Sequence, residues 1–220
     1  MVQERKKTIP SWLLVAAAVL LAAAAVYAHY RWDPWGFYWK VSDEEADLRL
    51  SLIQQAESWL GRKEADGSHK TIIDRYNAQE VLPVGYTLSY TDSWCAAFVT
   101  ASALEAGLTD IIPPECGCER QIKLWQQLGR WEERDSAIPL PGDLIYYDWD
   151  MEERGEATGW ADHVGIVVGT KWPFVKVIEG NWEDSVTYRY LILDDIQIRG
   201  FGKPDYAGLL NREAMIHAIK

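Results

Sequence analysis

The chain has little cysteine and little positive charge. Its 220 residues include three cysteines, and 22 basic side chains stand against 33 acidic ones, for a formal charge of −11 and a pI near 4.8. Three cysteines are too few for a disulfide framework, and the odd number leaves at least one thiol unpaired within the chain. The shortage of lysine and arginine excludes a general nucleic-acid binder, whose surface must neutralise phosphates. It also disfavours tight electrostatic attachment to an anionic surface, so the acidity reads as a solubilising charge. No internal repeat is present, and no low-complexity stretch beyond one alanine-rich run. What is there in quantity is ordinary globular material: 48% hydrophobic and 25% charged residues, with twelve tryptophans. Disordered, collagen-like and small disulfide-stapled classes are thereby excluded, and the length suits one domain plus appended sequence.

The first thirty residues form a separate object. Arg5, Lys6 and Lys7 precede seventeen unbroken apolar residues, Trp12 to Ala28, of which eight are alanine. As a helix that run would reach roughly 26 Å, slightly short of a hydrocarbon core of about 30 Å. Trp32, Trp35, Phe37, Tyr38 and Trp39 follow where an interfacial aromatic belt would sit, and the basic cluster predicts a cytoplasmic N-terminus. The expectation is a transmembrane anchor over 11–30, contacting the membrane through this helix. A cleaved signal peptide ending near Val26-Tyr27-Ala28, which would make the protein secreted, and an ordinary buried helix are the alternatives. The first two readings export the rest of the chain. The expected organisation is a cytoplasmic tail over 1–10, the anchor over 11–30, a linker over 31–46, a catalytic domain over 47–210 and a C-terminal tail over 211–220.

The remainder reads as α+β. Leu48, Leu52, Ile53, Ala56, Trp59 and Leu60 recur at helical spacing behind a Ser42 or Asp43 cap, and Gly61 stops the run. Residues 62–90 are less regular. WCAAFVTASALEAG predicts a second helix ending at Gly107, with Ala96, Val99, Thr100 and Ala103 as its buried stripe. Glu119 to Trp131 predicts a third. Strands are expected over 144–149, 163–169, 174–179 and 186–193, with a fifth over 196–201. Helices first and antiparallel strands after is an α+β order, not an alternating βαβ one.

Cys95 follows the expected cap of a helix, where the macrodipole favours thiolate over thiol. A small buried hydrophobe is the commoner fate of such a residue. His163 sharpens the functional reading. If the hairpin turn between the second and third strands centres on Lys171, His163 stands directly across from Glu179, and Asn181 points to the same face. A one-residue slip would put the pair on opposite faces. A carboxylate beside an imidazole fixes its tautomer, and the other ring nitrogen is then free to take a proton from a nucleophile. That is the general Cys–His arrangement for nucleophilic attack on an amide.

SWCAAFV, LPGDLIYYDW, DHVGIVVG and VIEGN, in that order, resemble the CHAP family (cysteine, histidine-dependent amidohydrolase/peptidase) over roughly Asp47 to Tyr206. The resemblance implies a papain-like fold, with N-terminal helices packed on a small antiparallel sheet. It implies Cys95 as nucleophile, His163 as general base and then acid, and Glu179 as its orienter, with Asn181 supporting that shell or replacing Glu179. It also implies cleavage of amide bonds in bacterial peptidoglycan, with no metal or cofactor. Papain-like enzymes often carry Gln six residues before the Cys; Ser89 stands there. The Cys95 amide is the expected oxyanion donor, with Tyr90 or Tyr86 as candidates for a second. Trp94, Tyr90 and Trp182 are the candidate substrate contacts. A peptidase acting on a protein, or a catalytically silent wall-binding module, are the alternative functions.

Other features carry less. Cys116 and Cys118, one residue apart with no nearby histidine pair, are weak zinc candidates and read as loop thiols. His69 and His217 lack evident partners and read as surface residues. Asp162 is expected on the face of its strand opposite to His163. The acids of Asp148–Glu156 fail the calcium-loop spacing and read as a solvated connection.

Overall fold

The computed structural model describes residues 17–24, 41–134, 138–149 and 160–219. The chain divides into two compact units, Met1–Gly36 and Phe37–Lys220. In the first, residues 17–24 are helical with exposed side chains. Among the described residues no helix is long and apolar enough to cross a membrane. That stands against the anchor expected over 11–30, of which residues 17–24 are the part described. The basic cluster, the aromatic belt and the candidate cleavage position lie outside the described residues.

The second unit is α+β. Its helices are α1 (Asp43–Glu57), α2 (Lys70–Asn77), α3 (Cys95–Ala106), α4 (Cys118–Gln127) and α5 (Tyr206–Ile219). Its strands are β1 (Trp131–Glu133), β2 (Leu144–Tyr147), β3 (His163–Lys171), β4 (Phe174–Trp182), β5 (Ser185–Ile192) and β6 (Ile198–Gly202). They form one antiparallel sheet in the order β1-β6-β2-β3-β4-β5. Ser42 caps α1, its hydroxyl accepting the Glu45 amide at 3.2 Å, and Asp43, Glu44 and Glu45 complement the helix dipole.

Three elements depart from expectation. Ile72, Ile73 and Tyr76 make a short helix, α2, inside the stretch read as irregular. The third predicted helix ends early: Gly129 turns left-handed (φ 64°), and Trp131 starts a strand instead. Residues 206–219 are a helix, not a tail, and its first turns join the core through Tyr206 and Leu209.

α3 is buried on every side from Cys95 to Ala103, not along one stripe. It packs against α1 and α2 as well as β3 and β4. Its small residues permit this, since a helix with neighbours all round must be narrow. Gly180 of β4 completes the fit. A Cβ there would lie 2.5 Å from Cβ of Phe98 and 2.8 Å from the Trp94 ring, so the glycine lets β4 close onto the start of α3. The alternation of β2 places Leu144 and Tyr146 in the large core beneath the helices. Ile145 and Tyr147 enter a smaller core on the other face, with Val167, Val177 and Phe201.

Candidate active site

The hairpin of β3 and β4 brings the histidine and the acid together, by a register other than the expected one. Lys171 pairs with Phe174, so the turn centres between Trp172 and Pro173 and the register is three residues off that of a turn centred on Lys171. A bulge between Val167 and Gly169 then shifts the pairing again, and Gly165 opposes Glu179. Glu179 is therefore diagonal to His163 rather than directly across. The offset is two residues, an even number, so both side chains keep one face; without the bulge they would lie on opposite faces. Nε2 of His163 lies 3.8 Å from Oε2 of Glu179. Gly165 makes the diagonal passable. A Cβ at that position would lie 2.7 Å from Cγ of Glu179 and 2.5 Å from Cγ1 of Val177.

Both groups are almost wholly buried, at 3% and 0% exposure. Glu179 also accepts from Nη1 of Arg189, at 3.4 and 3.3 Å to its two oxygens. That guanidinium stacks on Trp182 with Cζ 3.6 Å from the ring centre. Burial raises the Glu179 carboxyl above its ordinary pKa, opposed first by His163 and then by Arg189 and Tyr147. Burial pulls the His163 imidazole down, but the Cys95 thiolate and then Glu179 outweigh it, and its pKa stands above the ordinary value.

Cys95 occupies the first position of α3, and no side chain caps that helix. The free amides of the first turn therefore face the thiol, with the Ala96 N–H bonding toward Sγ. The thiol pKa falls well below the ordinary range. Cys118, donating its S–H, is the largest cause; burial opposes it, and His163 and Ala96 add to the lowering. Nε2 of His163 is at ion-pair distance from Glu179 without a hydrogen bond, and Nδ1 is the other imidazole nitrogen available to the thiol. Acid, imidazole and thiolate thus stand in sequence.

Cys118 is the residue that sequence reasoning missed. It is no loop thiol: it is the first residue of α4, 7% exposed, with Sγ 3.6 Å from Sγ of Cys95. The signal available was its place at a helix start, the same position Cys95 occupies. Cys116 is half-buried and accepts from Nη2 of Arg120 at 3.2 Å. Among the described residues no cluster of His, Cys, Asp and Glu has the makings of a metal site.

The tryptophans divide. Trp149 stacks on His163 at 5.2 Å and 26°, and Trp182 meets the same ring edge-on at 5.9 Å. Asp162 holds Trp149 in place by accepting its backbone N–H at 2.7 Å. Trp94, by contrast, is fully buried, donates Nε1–H to Glu64 at 2.9 Å, and is a core residue rather than a groove wall. The Tyr90 hydroxyl donates to Asp74 and the Tyr86 hydroxyl to Asp92, so both point their protons at carboxylates rather than at the thiol. Asn181 is half-buried in a left-handed conformation (φ 61°), where the β4–β5 pairing shifts. The group beside the imidazole is the Glu179 carboxylate. Tyr86, Leu88, Asp92, Ser93, Cys116 and Arg120 line much of a cavity of about 400 Å³. His69 is buried, not superficial, with Nε2 3.0 Å from the Tyr90 carbonyl. The His217 side chain and the connection over 150–156 lie outside the described residues.

No family model and no curated protein matches the chain. Among solved structures, that of Ly7917 aligns with 61% of this chain at 18% identity and a TM-score of 0.34. The chain spans 62% of that protein's length.

Proposed function

We propose that this protein is a thiol-dependent amidohydrolase that cleaves amide bonds of bacterial peptidoglycan. The observation that carries the reading is Cys95 at the uncapped start of α3, with His163 backed by Glu179. The motif resemblance stated above supplies the substrate class. Peptidoglycan lies outside the cytoplasmic membrane, so the domain works there.

The Cys95 thiolate attacks the amide carbonyl, and the amides at the start of α3 receive the charge that develops on oxygen. The His163 imidazolium gives its proton to the departing amine. The same imidazole then takes a proton from water, which attacks the thioester and releases the acid. Glu179 stabilises the imidazolium and fixes which nitrogen faces the thiol. The faces of Trp149 and Trp182 suit sugar rings and apolar peptide stems. Arg120 and Asp92 put opposite charges on the wall of a cavity whose lining also includes Ser93, two residues before Cys95, suited to the charged groups of a short peptide.

Incubating the protein with purified peptidoglycan, with Cys95→Ala as control, and analysing released fragments by mass spectrometry tests this. New amine and carboxyl ends that vanish in the variant support the hydrolase and name the bond. No release from walls of several peptide types contradicts it, and would favour a protein substrate or a silent binding module.

A further inference from the structure

Two cysteines at the starts of two different helices face each other across 3.6 Å, and the hydrolytic chemistry uses one of them. The second is held there by a buried network. Thr100 of α3 accepts the Glu115 amide at 2.9 Å and donates to the Glu115 carbonyl at 2.7 Å, tying the loop before Cys118 to the helix that carries Cys95. Gln121, one turn into α4, donates to the Pro113 carbonyl at 2.8 Å and accepts from the Tyr146 hydroxyl, also at 2.8 Å. Trp125 donates to that hydroxyl at 2.7 Å. Cys118 supports the Cys95 thiolate by donating its S–H, and so much buried hydrogen bonding around a second thiol at sulfur–sulfur range suits a further role. Cys116 does not share it: a bond between residues one apart is strained, and its sulfur is engaged by Arg120.

We propose that Cys118 is a resolving cysteine, and that Cys95 and Cys118 form a reversible disulfide when the site meets a hydroperoxide. This rests on the reading of Cys95 as an activated nucleophile. In the first step the Cys95 thiolate attacks one oxygen of the hydroperoxide. An S–O bond forms and the O–O bond breaks; the alkoxide or hydroxide takes a proton and leaves as alcohol or water, and Cys95 becomes a sulfenic acid. In the second step the Cys118 sulfur attacks the Cys95 sulfur. An S–S bond forms, the S–O bond breaks, and the oxygen leaves as water with the Cys118 proton. Two thiols lose two electrons and the peroxide gains them. The sulfurs close by about 1.5 Å to reach bonding distance. The product has no nucleophile, so hydrolysis stops, and a dithiol restores it. Without Cys118 the sulfenic acid has no partner and is exposed to further oxidation, which is irreversible.

The test treats the protein with one to a few equivalents of hydrogen peroxide, alkylates, digests without reduction and maps the peptides. A parallel sample measures iodoacetamide alkylation of Cys95 alone. The expected result is a loss of two mass units, one link between the Cys95 and Cys118 peptides, Cys116 still alkylated, and full recovery with dithiothreitol. Cys116→Ser keeps the link, and Cys118→Ser gains 32 mass units at Cys95 that dithiothreitol does not remove. Sulfinic acid at Cys95 in the wild type with Cys118 still alkylated, or a link through Cys116, overturns the proposal while leaving the nucleophile intact. Slow alkylation and no oxidation of Cys95 overturns both.

Discussion

Two buried carboxylates on the same sheet have opposite surroundings. Asp143 sits in the turn before β2, with no side-chain exposure, and its needs are met at short range. Arg49 lies at 2.8 Å, Lys203 at 2.6 Å, and the Leu140 amide donates at 2.8 Å. The turn is pinned further by Tyr206, which donates to the Gly142 carbonyl at 2.8 Å. Gly142 itself is left-handed (φ 84°), and a Cβ there would lie 2.9 Å from that hydroxyl. Glu179 is as deeply buried, yet its charged neighbours stand at 3.3 to 3.8 Å. A saturated carboxylate holds parts together. A loosely partnered one beside an imidazole keeps free energy that changes as protons move, and this is what a site needs. The PGD and EGN motifs thus have different surroundings: the first clamps α1 and α5 to the sheet, the second puts its carboxylate beside the His163 imidazole.

Substitution separates them. Asp143→Asn leaves Arg49 and Lys203 short of their counter-charge, and a loss of about 3–5 kcal/mol in stability is expected by urea unfolding. Glu179→Gln should lower kcat by about 10²–10³-fold, the scale of general acid–base catalysis. It should not lower stability at neutral pH. Its carboxyl has a folded pKa raised above the unfolded one, so stability is lost as pH rises through that interval and the penalty is full above it. Removing the charge removes the penalty; an Asp143-like loss in this variant would break the comparison. Gly165→Ala pushes Glu179 off the diagonal, at an overpacking cost of about 1–3 kcal/mol. It should shift the pH dependence of Cys95 alkylation, which a merely structural effect would leave in place. Lys203→Met removes the outermost partner of Asp143, and a loss of about 1 kcal/mol with unchanged alkylation kinetics is expected.

Much of the site was legible because its signals are local. Cys95 stands where a run of small residues opens a helix, and β3 and β4 are short apolar, β-branched runs that carry His163 and Glu179. The register was less so. The displaced turn moved the pairing by three and the bulge after Val167 returned one, and the two together kept the residues on one face. A bulge has no reliable signature in a single sequence, since it arises from the fit between neighbouring strands. Cys118 was hidden for another reason: its meaning lies in a contact 23 residues away, made by two helix starts that only the tertiary fold brings together. Trp94, next to Cys95 in sequence, sits at the cap before the helix and is fully buried in the core. The apolar N-terminal run read as a membrane anchor on composition, and among the described residues no helix is long and apolar enough to cross a membrane.

The central claim is that Cys95 and His163 form an ion pair supported by Glu179. Iodoacetamide alkylation of Cys95 across pH 4–10, in the wild type and in His163→Ala, tests it most directly. Cys118, donating its S–H, and then His163 hold the thiol well below its ordinary range, while Cys95 and then Glu179 hold the imidazole above its own. The rate should therefore rise on an acid limb far below the usual thiol value of about 8.5 and level off through neutrality, and His163→Ala should move that limb toward alkaline pH. A single ionisation near 8.5 in both proteins would contradict the account.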